Sequence, residues 1–180
     1  ECGMRTLGVL GGMSWESSAV YYRGLNQGVA RRLGGLHSAP LVLHSVDFAP
    51  LAAMQAAGDW NGAATALATA AVGLRQAGAT ALVLATNTMH KVADRIETEA
   101  GLPLLHIADA TGAGLCAVGV RRAALLGTRF TMEDDGIVLQ RLRRRHGLAV
   151  DVPPAADREA MHRVIYEELC RGIVSADSRA

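Results

Sequence analysis

Leu7-Gly8-Val9-Leu10-Gly11-Gly12-Met13-Ser14-Trp15-Glu16-Ser17 runs from a short apolar stretch through two glycines into a helix start. Leu7 to Leu10 is too short for a helix and reads as a buried strand, closed by a tight turn at Gly11-Gly12. Ser14 can cap the helix that follows, with Glu16 and Ser17 in its first turn. Tyr21, Tyr22, Leu25 and Val29 then recur at helical spacing as far as Gly34-Gly35, where a helix can stop. Strand, glycine turn and helix in that order open a βαβ unit.

The same cycle recurs along the chain. Pro40 to Val46 reads as a second strand ended by Asp47, and Leu51 to Ala57 as a short helix. Asp59 can cap an Ala-rich helix that ends near Gly78, and Thr80 to Leu84 is a third buried strand. The polar turn Thr86-Asn87-Thr88 follows, and Met89 to Ala100 is helical up to Gly101. Pro103 opens a fresh cycle, with a strand over Leu104 to Ile107 and a helix capped by Asp109 that reaches Val118. Arg122 to Leu126 is a strand ended by Gly127-Thr128, and Thr131 or Asp134 starts a helix to about His146. Leu148 to Val152 is a strand, and Asp157 to Cys170 a helix. This alternation predicts an α/β protein built on parallel sheets with right-handed crossovers. Each half carries about three strands, so two similar lobes are expected, over residues 4–102 and 103–180.

Composition narrows the function classes. Half of the 180 residues are hydrophobic and 19% are charged, which suits a packed core and not a disordered tail. Eighteen Lys+Arg against 17 Asp+Glu leave a net charge of +1, no footprint for nucleic acid or an anionic membrane. Arg141, Arg143, Arg144 and Arg145 sit at a helix end, where cations suit the helix dipole and a solvated face. No apolar run reaches the roughly 18 residues that cross a bilayer, and no signal-peptide pattern opens the chain. Glu1-Cys2-Gly3 ahead of Met4 read as an extension, and the expected location is cytoplasmic. Cys2, Cys116 and Cys170 fit neither a disulfide framework nor a zinc site, and the six His show no metal-ligand spacing, so no metal is expected.

In open α/β sheets, ligands bind beyond the carboxyl ends of the strands. The Gly8–Ser14 turn lacks the G-x-G-x-x-G and G-K-[ST] patterns of nucleotide sites. It is either a plain tight turn or a nest of backbone N–H groups for a carboxylate. The hydroxyls and amide of Thr86-Asn87-Thr88, with the N–H groups of the helix start, could hold an α-carboxylate; ordinary capping is the alternative. Gly127-Thr128-Arg129 takes the equivalent place in the second half, as a second anion site or as a turn with an exposed Arg. His106 reads as a satisfied, partly buried histidine, Asp109 as a cap, and His162 as a mid-helix residue of the same ordinary kind. Cys116 and Cys170 read as inert small hydrophobes.

Taken together, several segments resemble the aspartate/glutamate racemase family, closest to its bacterial broad-specificity amino-acid racemases. They include Leu10–Ser17, Arg32–Ala39, Ser45-Val46-Asp47-Phe48, Thr86–Asp94, Leu105–Thr111, Leu125–Met132 and Ile165–Cys170. The resemblance implies two pseudo-symmetric α/β lobes with a cleft between them, usually as a homodimer. It implies racemisation of a small acidic amino acid, aspartate or glutamate, without pyridoxal phosphate, metal or other cofactor. Two cysteines on opposite faces of Cα exchange its proton, while hydrogen bonds to the α-carboxylate stabilise the developing carbanion. Substrate contacts carried over from the family fall on Met13, Gln55, Thr86, Asn87 and Thr88, with a basic contact at His162 or Arg158. The sequence departs from the family at its first catalytic Cys, which immediately precedes Thr-Asn-Thr and is Ala85 here. The second, in a Gly-Cys-Thr-Glu segment, would fall beyond Ala180, with a strand of the second lobe. The expectation is therefore an inactive or impaired racemase with an incomplete second lobe. The alternatives are an amino-acid-binding relative without catalysis, or an isomerase or lyase that works through Thr86 or His90.

Overall fold

A computed structural model describes residues 4–133 and 136–179. Asp134, one of the two expected helix starts, lies outside these residues, as does the Glu1-Cys2-Gly3 extension. The chain forms two compact units: one takes the chain up to Thr86 together with Val92–Leu105, the other Asn87–Lys91 together with His106 onward.

In the first unit, β1 (Leu7–Gly11) is the centre of a parallel sheet of order β2-β1-β3, between β2 (Leu41–Ser45) and β3 (Ala81–Leu84). Leu10 lies opposite His44 on one side and Leu84 on the other. A central strand is covered on both faces, which accounts for its apolar run: Val9 and Leu10 are fully buried. Ser14 caps α1 (Trp15–Leu33) by accepting from the Ser17 N–H, and Asp47 caps α2 (Phe48–Ala57), which starts ahead of the expected Leu51. Asp59 caps α3 (Trp60–Gln76), whose Ala64, Leu67, Ala68, Ala71 and Leu74 form the buried stripe at helical spacing. That small-residue stripe lets α3 lie close on β1. A Cβ on Gly8 would come within 3.3 Å of Leu74 Cβ and 2.9 Å of Ala79 Cβ. α4 (Ala93–Ala100) packs on α3 and ends at Gly101 in the left-handed conformation. By contrast α1 buries only Ser18 and leaves Trp15, Val20 and Tyr22 exposed.

Two expectations around this unit need correction. The single helix over Met89–Ala100 is instead a 3-10 turn, Thr88–Val92, followed by α4. Residues 87–91 pack with the second unit and the chain then returns to the first, so it changes units where a straight helix would have continued. The strand over Leu104–Ile107 shrinks to one bridge, Leu104 to Leu82. His106 turns the chain straight into a helix, which ends the ladder.

The second unit holds α5 (Ile107–Ala117), β4 (Arg122–Ala124), α6 (Arg129–Met132), α7 (Ile137–His146), β5 (Ala149–Asp151) and α8 (Ala155–Glu167). β4 and β5 are parallel, so among the described residues two strands stand where about three were expected. Ala108, Val138, Leu139, Leu142, Leu148 and Val150 form its core. His106, not Asp109, caps α5 by accepting from the Ala108 N–H. Asp109 points across to α7 instead, where Arg141 grips both its oxygens at 2.8–3.0 Å and Arg145 and His146 reach it at 3.2 Å. The arginine cluster is thus only partly the solvated face expected, because a bidentate pair holds Arg141 across the α5–α7 seam.

Candidate functional site

The carboxyl end of β1 passes into Gly11-Gly12-Met13-Ser14, all of them buried. Gly12 has φ +95°, and a Cβ there would collide with the Val46 backbone, so this turn has room for glycine alone. The Gly12 N–H donates to Ser18 Oγ at 2.8 Å, and Ser18 Oγ donates to the Ser14 carbonyl at 3.0 Å. A carboxylate nest in this turn therefore cannot use the Gly12 N–H, which Ser18 has taken. The Met13–Ser14 peptide bond is cis. Met13 is 5% exposed here, and Gln55, on α2 beyond β2, is 3% exposed.

Ala85 continues the central ladder one residue past β3, its N–H donating to the Leu10 carbonyl at 2.9 Å, and it is fully buried. Its methyl can neither give nor take a proton. Thr86 follows half-buried, and Asn87 and Thr88 then belong to the second unit.

In that unit the two polar turns singled out in the sequence meet. Thr88 Oγ lies 2.8 Å from Thr128 Oγ, which lies 3.1 Å from Thr131 Oγ. All three hydroxyls are buried. Thr128 is thus a buried linker while Arg129, next to it, is exposed and paired with Glu133 at 3.6 Å. The Arg129 N–H donates to His162 Nδ1 at 3.3 Å, and the His162 ring lies against Phe130 and Tyr166. Of the two basic candidates on α8, His162 is the one held at the Thr128-Arg129 turn. Burial, and then the Arg129 charge, lower its pKa, so the ring is neutral and its Nε2 carries the proton. Burial likewise raises the Tyr166 phenol to about 12.

Two imidazoles named in the sequence, His90 and His106, prove to be paired at one helix start. His90 Nε2 accepts from the Ile107 N–H at 3.2 Å and His106 Nδ1 from the Ala108 N–H at 3.1 Å, so the pair covers the first two amides of α5. Their rings meet edge-on, with centroids 4.4 Å apart. Burial, then His90 and Arg141, push His106 down to about 3. The available signal was a His immediately before a helix, where Nδ1 can act as an Asn-like cap. Nothing local indicates that His90, 17 residues earlier, shares the task.

A family model described as Asp/Glu/Hydantoin racemase matches residues 10–180. The chain belongs to this family. It is 55% identical to a candidate Asp/Glu racemase from Yersinia pestis of known crystal structure, over 98% of this chain and 76% of that one, with a TM-score of 0.86. It is 33% identical to an aspartate racemase homologue from Pyrococcus horikoshii OT3, over 94% of this chain and 74% of that one, with a TM-score of 0.76. The Picrophilus torridus aspartate racemase shares the fold at 17% identity, over 93% of this chain and 75% of that one, with a TM-score of 0.69. The family's parallel-stranded α/β fold is the one built here from β1–β5. No helix among the described residues is long and apolar enough to cross a membrane.

Proposed function

We propose that this chain is a cofactor-independent amino-acid racemase by descent, acting on aspartate or glutamate, and that it binds its amino acid but turns it over poorly. The observation that carries the reading is Ala85, a buried methyl at the end of β3 where the family chemistry needs a thiol. Racemisation must remove a weakly acidic Cα–H and return a proton from the opposite face. A positioned base supplies about 10²–10⁴-fold of that rate, so a methyl in place of one base should cost on this order or more.

Binding is expected to be less affected, because the other residues that the resemblance implies as substrate contacts are retained in the sequence. In the first unit, Met13 and Gln55 are the proposed contributors. In the turn after β3, Thr86, Asn87 and Thr88 are the groups proposed to offer hydroxyls and an amide to an α-carboxylate, and Thr88 is held by Thr128. On α8, His162 presents Nε2–H as the donor. The same reading makes the protein a cytoplasmic homodimer. A second reading, an amino-acid-binding relative with no catalytic role, is favoured by the same Ala85.

Calorimetric titration with L- and D-aspartate and L- and D-glutamate tests binding, and heat with at least one acid is expected. No heat with any of the four removes both readings. Proton NMR in D₂O then separates them. Ala85→Cys should raise Cα deuterium exchange of a bound acid above that of the parent chain, whereas a variant that binds and exchanges nothing favours the non-catalytic relative.

A further inference from the structure

The short segment Asn87–Lys91 carries two of the proposed ligand residues, Asn87 and Thr88, yet it packs with a unit whose remainder begins at His106. Its hold there is specific. Thr88 bonds Thr128 through paired hydroxyls at 2.8 Å, and His90 reaches the first amide of α5. The His90 N–H in turn closes the turn on the Asn87 carbonyl at 3.1 Å. His90 and His106 are 1% and 4% exposed, so neither ring is a solvated surface group.

An imidazole nitrogen accepts a hydrogen bond only while it is unprotonated. His90 accepts at Nε2 and therefore carries its proton on Nδ1. His106 accepts at Nδ1 and carries its proton on Nε2. Two neutral rings in opposite tautomers thus share one helix start and contact each other edge-on. A Ser or Asp could cap α5 from within its own turn, but would leave residues 87–91 unattached. Only a long side chain arriving from the ligand turn does both.

We propose that His90 and His106 are positioning residues, a buried imidazole pair that fastens the Asn87-Thr88 turn to the start of α5 and so sets the geometry in which that turn meets an amino-acid carboxylate. The inference rests on reading that turn as part of the amino-acid site. Neither ring need touch the ligand.

Three measurements test it on the full chain. Nitrogen-15 NMR at neutral pH should find His90 protonated at Nδ1 and His106 at Nε2; the reverse tautomers or an imidazolium overturn the pairing. His90→Leu removes the acceptor while keeping bulk. His90→Gln keeps a carbonyl near the Nε2 position. In a folded His90→Leu chain the Thr88 methyl resonance should move, and L-aspartate affinity should fall about tenfold or more, since small misplacements of binding groups are costly. His90→Gln should restore both towards the parent values, which a general loss of stability would not produce. A folded His90→Leu chain with an unmoved Thr88 signal overturns the proposal. If the parent chain itself binds no acid, the proposed function fails, and the tautomers and the Thr88 signal decide the positioning role alone.

Discussion

At the residue scale, the Thr88–Thr128–Thr131 hydroxyl chain is the most exacting arrangement in the second unit, because each hydroxyl is buried and must find a partner inside the protein. Thr128→Val keeps the shape but takes the hydroxyl partner from both Thr88 and Thr131, while Thr88→Val takes one of the two partners from Thr128. Each is expected to destabilise the chain by about 1–3 kcal/mol in urea unfolding. The double variant should cost less than the two single losses added together, because the second change removes the group that the first left unpaired. Strict additivity would show that the 2.8 Å contact contributes nothing. Both threonines stand out in the sequence as turn residues. Their meeting could not be read there, because 40 residues separate them and only packing brings them together.

At the scale of elements, the α5–α7 seam is set by one missing side chain. A Cβ on Gly112 would run into the His146 ring, which Asp109 holds in place at 3.2 Å. Gly112→Ala should therefore destabilise by about 1–3 kcal/mol despite the better helix propensity of alanine. Gly114, on the same helix with open space around its Cβ position, makes the control: Gly114→Ala should stabilise by about 0.5–1 kcal/mol. Equal effects at both positions in thermal or urea unfolding would refute the seam as described.

The cap of the same helix predicts how stability depends on pH. The folded value of His106, about 3, lies below its ordinary 6.5, so the unfolded chain takes up the proton first. Its contribution is full above about 6.5 and is lost as pH falls towards 3. Between pH 7 and pH 4 this amounts to about 3 kcal/mol. Asp109, held by Arg141 at about 2 against its ordinary 3.8, adds a later loss as pH falls through that lower window. His106→Asn keeps an acceptor at the cap but removes the titration, so urea unfolding at pH 7 and pH 4 should show a smaller acid loss than in the parent. Identical losses would remove His106 as the cause.

For the whole molecule, the proposed homodimer is checked by sedimentation equilibrium over a range of concentrations. A dimer mass is expected, and a monomer mass throughout would dismiss it. Much of the architecture was legible in local patterning. β1, α1, α3 and their caps at Ser14 and Asp59 follow from short apolar runs, helical spacing and capping chemistry. Where the elements depart from local patterning, distant residues decide. The helix expected from Met89 breaks because its first turn is tied to α5, and the strand expected at Leu104 ends because His106 caps a helix at once.

The sequence by itself determined the α/β alternation, the family and the methyl at position 85, since backbone periodicity and side-chain chemistry are local properties of a chain. Only the tertiary structure decided that Thr88 bonds Thr128, that His162 rather than Arg158 sits at the Arg129 turn, and that His90 and His106 share one helix start. Those contacts join residues far apart in sequence, and no local pattern encodes a distance between two side chains that only folding brings together.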